Sequence, residues 1–282
     1  MRVVLGLRRA ACALAVPFAF AVACRAPART DAAEPSSAPR ALPPAVAVPP
    51  TASVAPAEPA PALLASDLAE SAGVIPASAA TERRTYVVAA IGDSLTDYRS
   101  QGGKFLRQLE ARCPESRFDN YGKGGDMVNQ MRKRLERDVL AAPPAAYTHL
   151  IVFGGVNDLY SDLTAGRTVA KIARDLTAMY DDAHQHAMKV VALTVAPWGG
   201  FKKYFTEKRG ATTLELNRWI IDQESTKKAE FVVDTYPLLS CGEPQKLCDA
   251  FFEPFHDGLH FGPGAHDKIA QALFEKVFSD CR

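Results

Sequence analysis

The chain has 282 residues, of which 48% are hydrophobic and 23% are charged, and its formal net charge at pH 7 is +1. This near-neutral balance excludes the basic electrostatic footprint of a nucleic-acid-binding domain, so no nucleic-acid partner is expected.

The first 24 residues predict a secretory signal peptide. Arg2, Arg8 and Arg9 precede an apolar run over residues 10–23. A positive start followed by a run too short to span a bilayer comfortably is typical of such a signal. The protein is therefore expected to be exported.

The end of the signal resembles a bacterial lipobox. Its last residues are AVAC, and Cys24 is the candidate for lipidation. Lipidation predicts a periplasmic or outer-membrane lipoprotein whose partner is the membrane. Ordinary cleavage near Ala23, which leaves a secreted protein, and an uncleaved anchor are the alternatives.

Residues 25–80 predict a linker. They are rich in Ala and Pro and have few large apolar side chains. Such a segment buries too little apolar surface to offset the entropy of ordering, so a disordered or polyproline-like tether is expected. The remaining residues, 81–282, suffice for one globular domain.

In this domain, short apolar runs alternate with helical patterns. The runs predict strands over residues 85–91, 117–120, 148–153, 189–195 and 231–234. Helices are predicted near residues 103–111, 126–140 and 214–220 and after Pro263. The clearest helix has an apolar stripe at spacings of three and four, formed by Val169, Ile172, Leu176, Met179, Ala183 and Ala187. Short apolar strands between helices indicate an α/β fold whose parallel sheet is covered on both faces.

The domain also contains four cysteines. An even number in an exported domain favours disulfides, and three connectivities are possible. We favour Cys241–Cys248, which closes a small loop, and Cys113–Cys281, which joins an early helix end to the C-terminus. Four buried free thiols are the alternative.

Four polar blocks accompany these elements. Three follow predicted strands and one precedes the last helix, and ligands of parallel α/β sheets bind beyond the carboxyl ends of strands. The blocks are GDSL at 92–95, GKGGD at 122–126, GVND at 155–158 and DGLH at 257–260. Each block alone is a weak signal, but their order and positions together indicate an active site.

With these blocks, the chain from about residue 85 onward resembles the SGNH (GDSL-type) hydrolases, a superfamily of esterases and lipases. The resemblance implies a flavodoxin-like, three-layer α/β/α sandwich with a five-stranded parallel sheet. It also implies a serine esterase without metal or cofactor, in which Ser94 is the nucleophile and His260 the general base. Asp257 orients the imidazole.

The same resemblance implies an oxyanion hole. Its donors are the Ser94 N–H, the Gly125 N–H and the side-chain amide of Asn157. Gly124 is an alternative register for the glycine. Asp93 and Asp158, beside these residues, are interpreted as carboxylates that hold loops.

The substrate is predicted to be an ester, with an acylated carbohydrate as the first choice. The segment over residues 196–210 carries the candidate substrate-binding aromatics Trp198, Phe201 and Tyr204 among several lysines and arginines. Aromatic faces can stack on sugar rings, and the cations suit an acidic polymer. Packing of a long loop by these aromatics is the alternative, and small esters or lysophospholipids are further candidate substrates.

Other functions fit the sequence less well. His256, His260 and His266 with Asp257 could suggest a metal site, but the surrounding glycines and proline predict a loop without ligand geometry. An acyltransferase with the same triad and a non-catalytic binding lipoprotein are the remaining alternatives.

Overall fold

The computed structural model describes residues 83–141 and 147–282. The predicted signal peptide, the linker and Cys24 lie outside the described residues.

Five strands form one parallel sheet in the order β2-β1-β3-β4-β5. The strands are β1 (Val87–Gly92), β2 (Arg117–Gly122), β3 (His149–Phe153), β4 (Lys189–Leu193) and β5 (Phe231–Val233). The chain places β2 on one side of β1 and then crosses to place β3 on the other. This reversal opens a crevice at the carboxyl ends of β1 and β3.

Helices cover both faces of the sheet. They are α1 (Lys104–Arg112), α2 (Val128–Arg134), α3 (Val156–Tyr160), α4 (Asp162–Ala165), α5 (Val169–Gln185), α6 (Glu207–Ser225), α7 (Thr235–Leu238) and α8 (Pro263–Leu273). π-Helical segments extend α2 over Leu135–Leu140 and α8 over Phe274–Phe278. None of the helices in residues 83–141 and 147–282 has both the length and the apolarity of a membrane span.

Two hydrophobic cores follow from the alternation of side chains along the central strands. Val88 and Ala90 of β1 face the core that α1 and α8 complete, whereas Ala89 and Ile91 face the core of α2, α5 and α6. All four side chains are fully buried. The predicted three-layer α/β/α sandwich with a five-stranded parallel sheet is therefore confirmed.

The structure corrects several of the predicted boundaries, among them the start of α6, which lies at Glu207, and the end of β2, which lies at Gly122. Helix α5 ends at Gln185, and Ala187 lies in the following turn with a left-handed φ of 57° instead of on the apolar stripe. Strand β4 ends at Leu193, because the backbone of Val195 is hydrogen-bonded to the side chain of Asn217 and not to a neighbouring strand. The Val195 N–H donates to Asn217 Oδ1 and the Val195 carbonyl accepts from Asn217 Nδ2, each at 2.9 Å.

Three helices were not predicted from the sequence. Helices α3, α4 and α7 have only four or five residues each. A helix of one turn is too short to show a hydrophobic period, so nothing in the pattern distinguishes it from a loop.

Both favoured disulfides are formed in the structure. Cys113 at the end of α1 is joined to Cys281 near the C-terminus, and Cys241 is joined to Cys248. The first closes a loop with a sequence separation of 168 and the second one with a separation of 7. Beside the first, Arg84 and Asp280 pair backbone to backbone, so the start and end of the fold lie together.

Removing the longer disulfide is expected to destabilise the protein more than removing the shorter one. A crosslink restricts the unfolded chain more when the closed loop is longer, and losing one costs about 2–5 kcal/mol. Urea unfolding of a Cys113→Ala/Cys281→Ala variant and of a Cys241→Ala/Cys248→Ala variant measures both effects. Equal losses of unfolding free energy would contradict the expectation.

Candidate active site

Ser94 stands in a tight turn at the carboxyl end of β1. The Asp93 carbonyl accepts hydrogen bonds from the N–H groups of Thr96 and Asp97, and the Asp93 carboxylate accepts one from the Leu95 N–H at 3.0 Å. A Cβ at Gly92 would overlap the Thr96 side chain and lie 2.6 Å from the Phe153 carbonyl oxygen. The turn therefore needs glycine before it, and it directs Ser94 into the crevice between β1 and β3.

The late DGLH block brings His260 and Asp257 to this serine. His260 Nε2 lies 2.9 Å from Ser94 Oγ, and His260 Nδ1 lies 2.6 Å from Asp257 Oδ2. Because a carboxylate only accepts, Nδ1 carries the proton of the neutral imidazole and Nε2 is free to accept the Ser94 hydroxyl. The three residues form one hydrogen-bonded chain although 163 positions separate Ser94 from Asp257.

Asp257 is held as the ionised partner in this chain. Burial raises the pKa of its carboxyl, but the hydrogen bonds from the His260 ring and from the N–H groups of Leu259 and His260 outweigh burial and lower it. Both N–H groups donate to Asp257 Oδ1, at 2.9 and 2.8 Å. The turn that carries the histidine thus also orients the carboxylate.

This turn depends on backbone contact between two glycines. Gly258 has a φ of +76°, and a Cβ at this position would overlap the Gly200 backbone of the loop after β4. Only glycine combines that conformation with such close approach. The loop after β4 therefore supports the position of His260.

Ser94 and Gly125 line the crevice, and their backbone N–H groups donate to no acceptor among the described residues. The Gly124 N–H instead donates to Asp97 Oδ2 at 3.0 Å. Of the two registers that the sequence left open, the geometry therefore favours Gly125, whose φ is +80°.

Asn157 completes this set of donors from the start of α3. Its Nδ2 donates to the Asp126 carbonyl at 2.9 Å, which fixes the orientation of the amide because a carbonyl only accepts. The second N–H of the same amide donates to no acceptor among the described residues. Asn157 is buried and lines the cleft beside Ser94 and Gly125.

Two buried arginines hold these loops, and neither was predicted from the sequence. Arg134 of α2 donates to the Asp126 carboxylate at 2.5 Å, to the Tyr121 carbonyl at 2.6 Å and to the Gly92 carbonyl at 3.0 Å. It thereby joins the ends of β1 and β2 to the GKGGD block. An arginine in a helix is ordinarily exposed, so the helical pattern alone does not reveal this role.

Arg167 has the corresponding role beside Asn157. Its Nε donates to Asp158 Oδ1 at 2.6 Å and its Nη2 to Asp175 Oδ2 at 2.8 Å. Asp158 Oδ2 also accepts the Val128 N–H at 2.9 Å, which ties α3 to the start of α2. These bonds agree with the interpretation of Asp158 as a loop-holding carboxylate.

Asp126 and Asp158 each pair with a buried arginine, whereas the nearby carboxyl of Asp93 has no ion-pair partner among the described residues. It is fully buried, and its Oδ2 meets no hydrogen-bond donor. Burial raises the pKa of Asp93 to about 7, with the nearby carboxyls of Asp158 and Asp126 contributing and the Leu95 N–H opposing. A neutral carboxyl therefore lies directly behind Ser94 below that pH.

The cleft in front of Ser94 is open and has a volume of about 750 Å³. One wall is aromatic, with the rings of Phe201 and Tyr160 lying 5.1 and 5.2 Å from that of Tyr204. The side chains of Arg99 and Lys123 line the cleft as well and are mostly exposed. Phe201 and Tyr204, two of the three aromatic residues predicted to bind substrate, therefore line the cleft.

The prediction that Trp198 binds substrate is wrong. Its side chain is only 1% exposed and packs edge-on against Phe205, with ring centroids 5.0 Å apart. Its Nε1 donates to Thr213 Oγ1 of α6 at 2.9 Å. The loop after β4 turns this residue into the core beneath α6, so it supports the aromatic wall from behind.

The histidines considered as metal ligands do not converge. His256 is exposed and pairs with Glu253, whereas His266 is fully buried between the rings of Phe105 and Phe261. Among residues 83–141 and 147–282 no group of three or more His, Cys, Asp or Glu side chains is arranged to hold a metal ion.

A family model described as GDSL-like Lipase/Acylhydrolase family matches residues 90–268. No curated protein matches the chain in sequence. Among solved structures, a GDSL-like lipase from Bacteroides thetaiotaomicron has a TM-score of 0.54 and 18% identity, covering 67% of this chain and 86% of its own.

Two further structures are similar. A member of the lipolytic protein G-D-S-L family from Veillonella parvula has a TM-score of 0.55 and 19% identity, with 68% of this chain and 98% of that one covered. A catalytic mutant of Axe2, an acetylxylan esterase from Geobacillus stearothermophilus, has a TM-score of 0.56 and 17% identity, with 70% and 96% covered. At these identities the likeness shows the fold alone.

Asp93→Asn is expected to remove part of the pH dependence of stability. The folded protein keeps Asp93 protonated up to about pH 7, whereas the unfolded chain releases this proton near pH ~4. Between these values the folded state binds the extra proton, so its free energy of unfolding falls as pH rises. The neutral amide lacks this decrease.

Urea unfolding at about pH 5 and about pH 8 measures the effect. We expect the parent to lose ~2 kcal/mol more than Asp93→Asn over this interval. Asp222→Asn, on the exposed face of α6, is the matched control and should follow the parent. The same pH dependence in the parent and in Asp93→Asn would rule out a buried neutral carboxyl.

Proposed function

Because this chain belongs to the GDSL-like lipase/acylhydrolase family, we propose that it is a serine esterase that cleaves carboxylic esters through an acyl-enzyme on Ser94. The observation that carries the proposal is the hydrogen-bonded chain from Ser94 through His260 to Asp257, with links of 2.9 and 2.6 Å. A serine hydroxyl becomes a nucleophile when a base so placed accepts its proton.

In the first step, Ser94 Oγ attacks the ester carbonyl carbon while His260 Nε2 accepts the hydroxyl proton. The tetrahedral intermediate collapses when the carbon–oxygen bond to the leaving alcohol breaks, and His260 returns the proton to that oxygen. In the second step, water attacks the acyl-enzyme with His260 again as the base. The bond between the acyl carbon and Ser94 Oγ then breaks, His260 returns the proton to Oγ, and the carboxylic acid leaves.

Asp257 keeps the imidazole in the tautomer that this sequence requires. Its Oδ2 accepts the Nδ1 proton, so Nε2 faces Ser94 as an acceptor. When Nε2 gains the serine proton, the ionised carboxylate stabilises the imidazolium.

The negative oxygen of the tetrahedral intermediate is assigned to the donors that face the crevice. These are the N–H groups of Ser94 and Gly125 and the second N–H of the Asn157 amide. Donors already fixed by the fold need no reorganisation as charge develops on that oxygen. Arg134 and Arg167, which bind the carboxylates of Asp126 and Asp158, keep these donors in place.

The proposed substrate is an acylated carbohydrate. Tyr160, Phe201 and Tyr204 form a wall of rings beside the serine, and such a wall can stack on sugar rings. Arg99 and Lys123 line the same cleft, which suits a saccharide that carries acidic groups. The acetylxylan esterase from Geobacillus stearothermophilus, which shares this fold, acts on an ester of this kind.

Export to an oxidising compartment is part of the proposal. The two disulfides support it because such bonds persist outside the cytosol. Lipidation at Cys24, which would anchor the enzyme to a membrane, is proposed from the sequence alone.

Replacing Ser94 with alanine is expected to abolish hydrolysis of 4-nitrophenyl acetate and covalent labelling by a fluorophosphonate. His260→Ala is expected to lower kcat by at least about 10³-fold, because no base remains to accept the serine proton. Circular dichroism establishes that each variant is folded. Ser225→Ala, at the exposed end of α6, is the control and should retain full turnover. Turnover by Ser94→Ala equal to that of the parent would refute the acyl-enzyme.

Tyr204→Leu is expected to weaken binding of an acetylated oligosaccharide without affecting a small ester. Loss of one stacked aromatic face costs about 1 kcal/mol, so KM for the oligosaccharide should rise about 5-fold. Tyr147→Leu, at the opposite end of the sheet, is the matched control. Equal changes of KM for the oligosaccharide and for 4-nitrophenyl acetate would argue against a carbohydrate-binding wall.

A further inference from the structure

The loop that carries Gly125, residues 122–126, is called the glycine loop. It is attached to the serine turn by the buried carboxylate of Asp97, and to the end of β1 by the Lys123 N–H, which donates to the Gly92 carbonyl at 3.0 Å. Asp97 Oδ2 accepts the Gly124 N–H at 3.0 Å and the Ser100 hydroxyl at 3.2 Å, and its Oδ1 accepts the Arg99 N–H at 2.9 Å. The Asp97 N–H in turn donates to the Asp93 carbonyl at 2.9 Å, within the turn that presents Ser94. One residue therefore connects two of the loops that form the oxyanion hole.

Packing alone does not hold the glycine loop at this point. A Cβ at Gly125 would meet no atom within 4 Å, so the backbone there is open to the cleft on its side-chain face. Its φ of +80° is accessible mainly to glycine, which also has the most conformational freedom to lose. The position of its N–H must consequently be set by the bonds on either side.

Those bonds have different roles. On the C-terminal side, Arg134 holds the Asp126 carboxylate. On the N-terminal side, the Asp97 carboxylate holds the Gly124 N–H. The N–H groups of Gly124 and Gly125 are the two candidate donors to the oxyanion. Because the Gly124 N–H already donates to Asp97, only the Gly125 N–H is free to donate to a ligand.

We propose that Asp97 is a positioning residue that sets the register of the oxyanion hole, engaging Gly124 so that the Gly125 N–H faces the developing oxyanion. The inference rests on the proposed function, since it concerns the stabilisation of the tetrahedral intermediate. Asp97 acts through the backbone of Gly124 and does not bond the ester.

Asp97 is suited to this role as an anion. Burial raises the pKa of its carboxyl, but the Gly124 and Arg99 N–H groups and the Ser100 hydroxyl outweigh burial and lower it. Hydrogen bonds to an ionised acceptor are stronger than those between neutral groups. The Arg99 guanidinium, 3.5 Å from Oδ1, further offsets a negative charge that lies near the oxyanion.

The test compares Asp97 with a structural aspartate that makes similar bonds elsewhere. Asp234 also caps a short helix through the N–H two positions ahead, that of Tyr236, and also accepts a hydroxyl, that of Thr194. It has no contact with the glycine loop among the described residues. Substitutions at Asp97 and Asp234 therefore remove comparable local bonds and differ in the bond to Gly124.

Asp97→Ala and Asp97→Asn are measured beside Asp234→Ala and Asp234→Asn in the otherwise unchanged protein. The readouts are kcat and KM for 4-nitrophenyl acetate, and the inhibition constant of phenylboronic acid, which forms a tetrahedral anion on a nucleophilic serine. Rates are divided by the folded fraction, which is determined by thermal unfolding.

We expect Asp97→Ala to lower kcat on the order of 10–100-fold, less than deletion of a donor does, with little change in KM. Its boronate inhibition constant should rise by a similar factor. Asp97→Asn should lose about 10-fold in kcat. An amide has only one acceptor oxygen, so in either orientation its NH₂ group faces a backbone N–H, that of Gly124 or that of Arg99, and that hydrogen bond is lost. Both Asp234 variants should keep the parent's kcat and boronate affinity.

Two results would overturn the inference. One is an Asp97→Ala kcat no lower than that of Asp234→Ala; the other is a loss confined to KM with unchanged boronate affinity. If Asp97→Ala does not fold, Asp97→Asn decides, and full kcat in that variant counts against the inference. A parent without turnover and without fluorophosphonate labelling would instead overturn the proposed function, and this inference with it.

Discussion

The carboxyl edge of the sheet depends on the buried guanidinium of Arg134. Strands β1 and β2 end there with backbone carbonyls that need donors, and an unpaired buried polar group costs about 1–3 kcal/mol. Arg134 satisfies the carbonyls of Gly92 and Tyr121 and pairs with the carboxylate of Asp126. Because Asp126 also accepts the Asn157 amide through its carbonyl, the ends of β1 and β2 and the start of α3 share one set of bonds.

Around this anchor, each polar block contributes through backbone geometry as well as through its side chain. Gly92 allows the serine turn to close, and Gly258 lets the histidine turn contact the loop after β4. Asp93 and Asp257 each accept N–H groups of their own turns. The carboxylate therefore shapes the turn in both blocks, but only that of Asp257 also reaches a reacting side chain.

The two aspartates show how environment separates similar residues. Asp257 accepts from two N–H groups and an imidazole, which lower the pKa of its carboxyl against burial. Asp93 accepts a single N–H on one oxygen and lies near two other carboxyls, so its pKa rises to about 7. In the proposed mechanism the first stays ionised and stabilises an imidazolium. The second is neutral below about pH 7 and ionised above it.

The sequence by itself determined the α/β class, the parallel sheet and the four blocks, because period, composition and short motifs are local properties of the chain, whereas it left the cysteine pairing open. Only the tertiary structure shows that the Gly124 N–H is already bonded to Asp97, that the Trp198 side chain lies in the core under α6, and which partners Arg134 meets. Each of these outcomes depends on groups that are distant in sequence and meet only when the strands are aligned. A hydrogen bond requires a donor and an acceptor within about 3 Å of each other, and no local pattern specifies that distance.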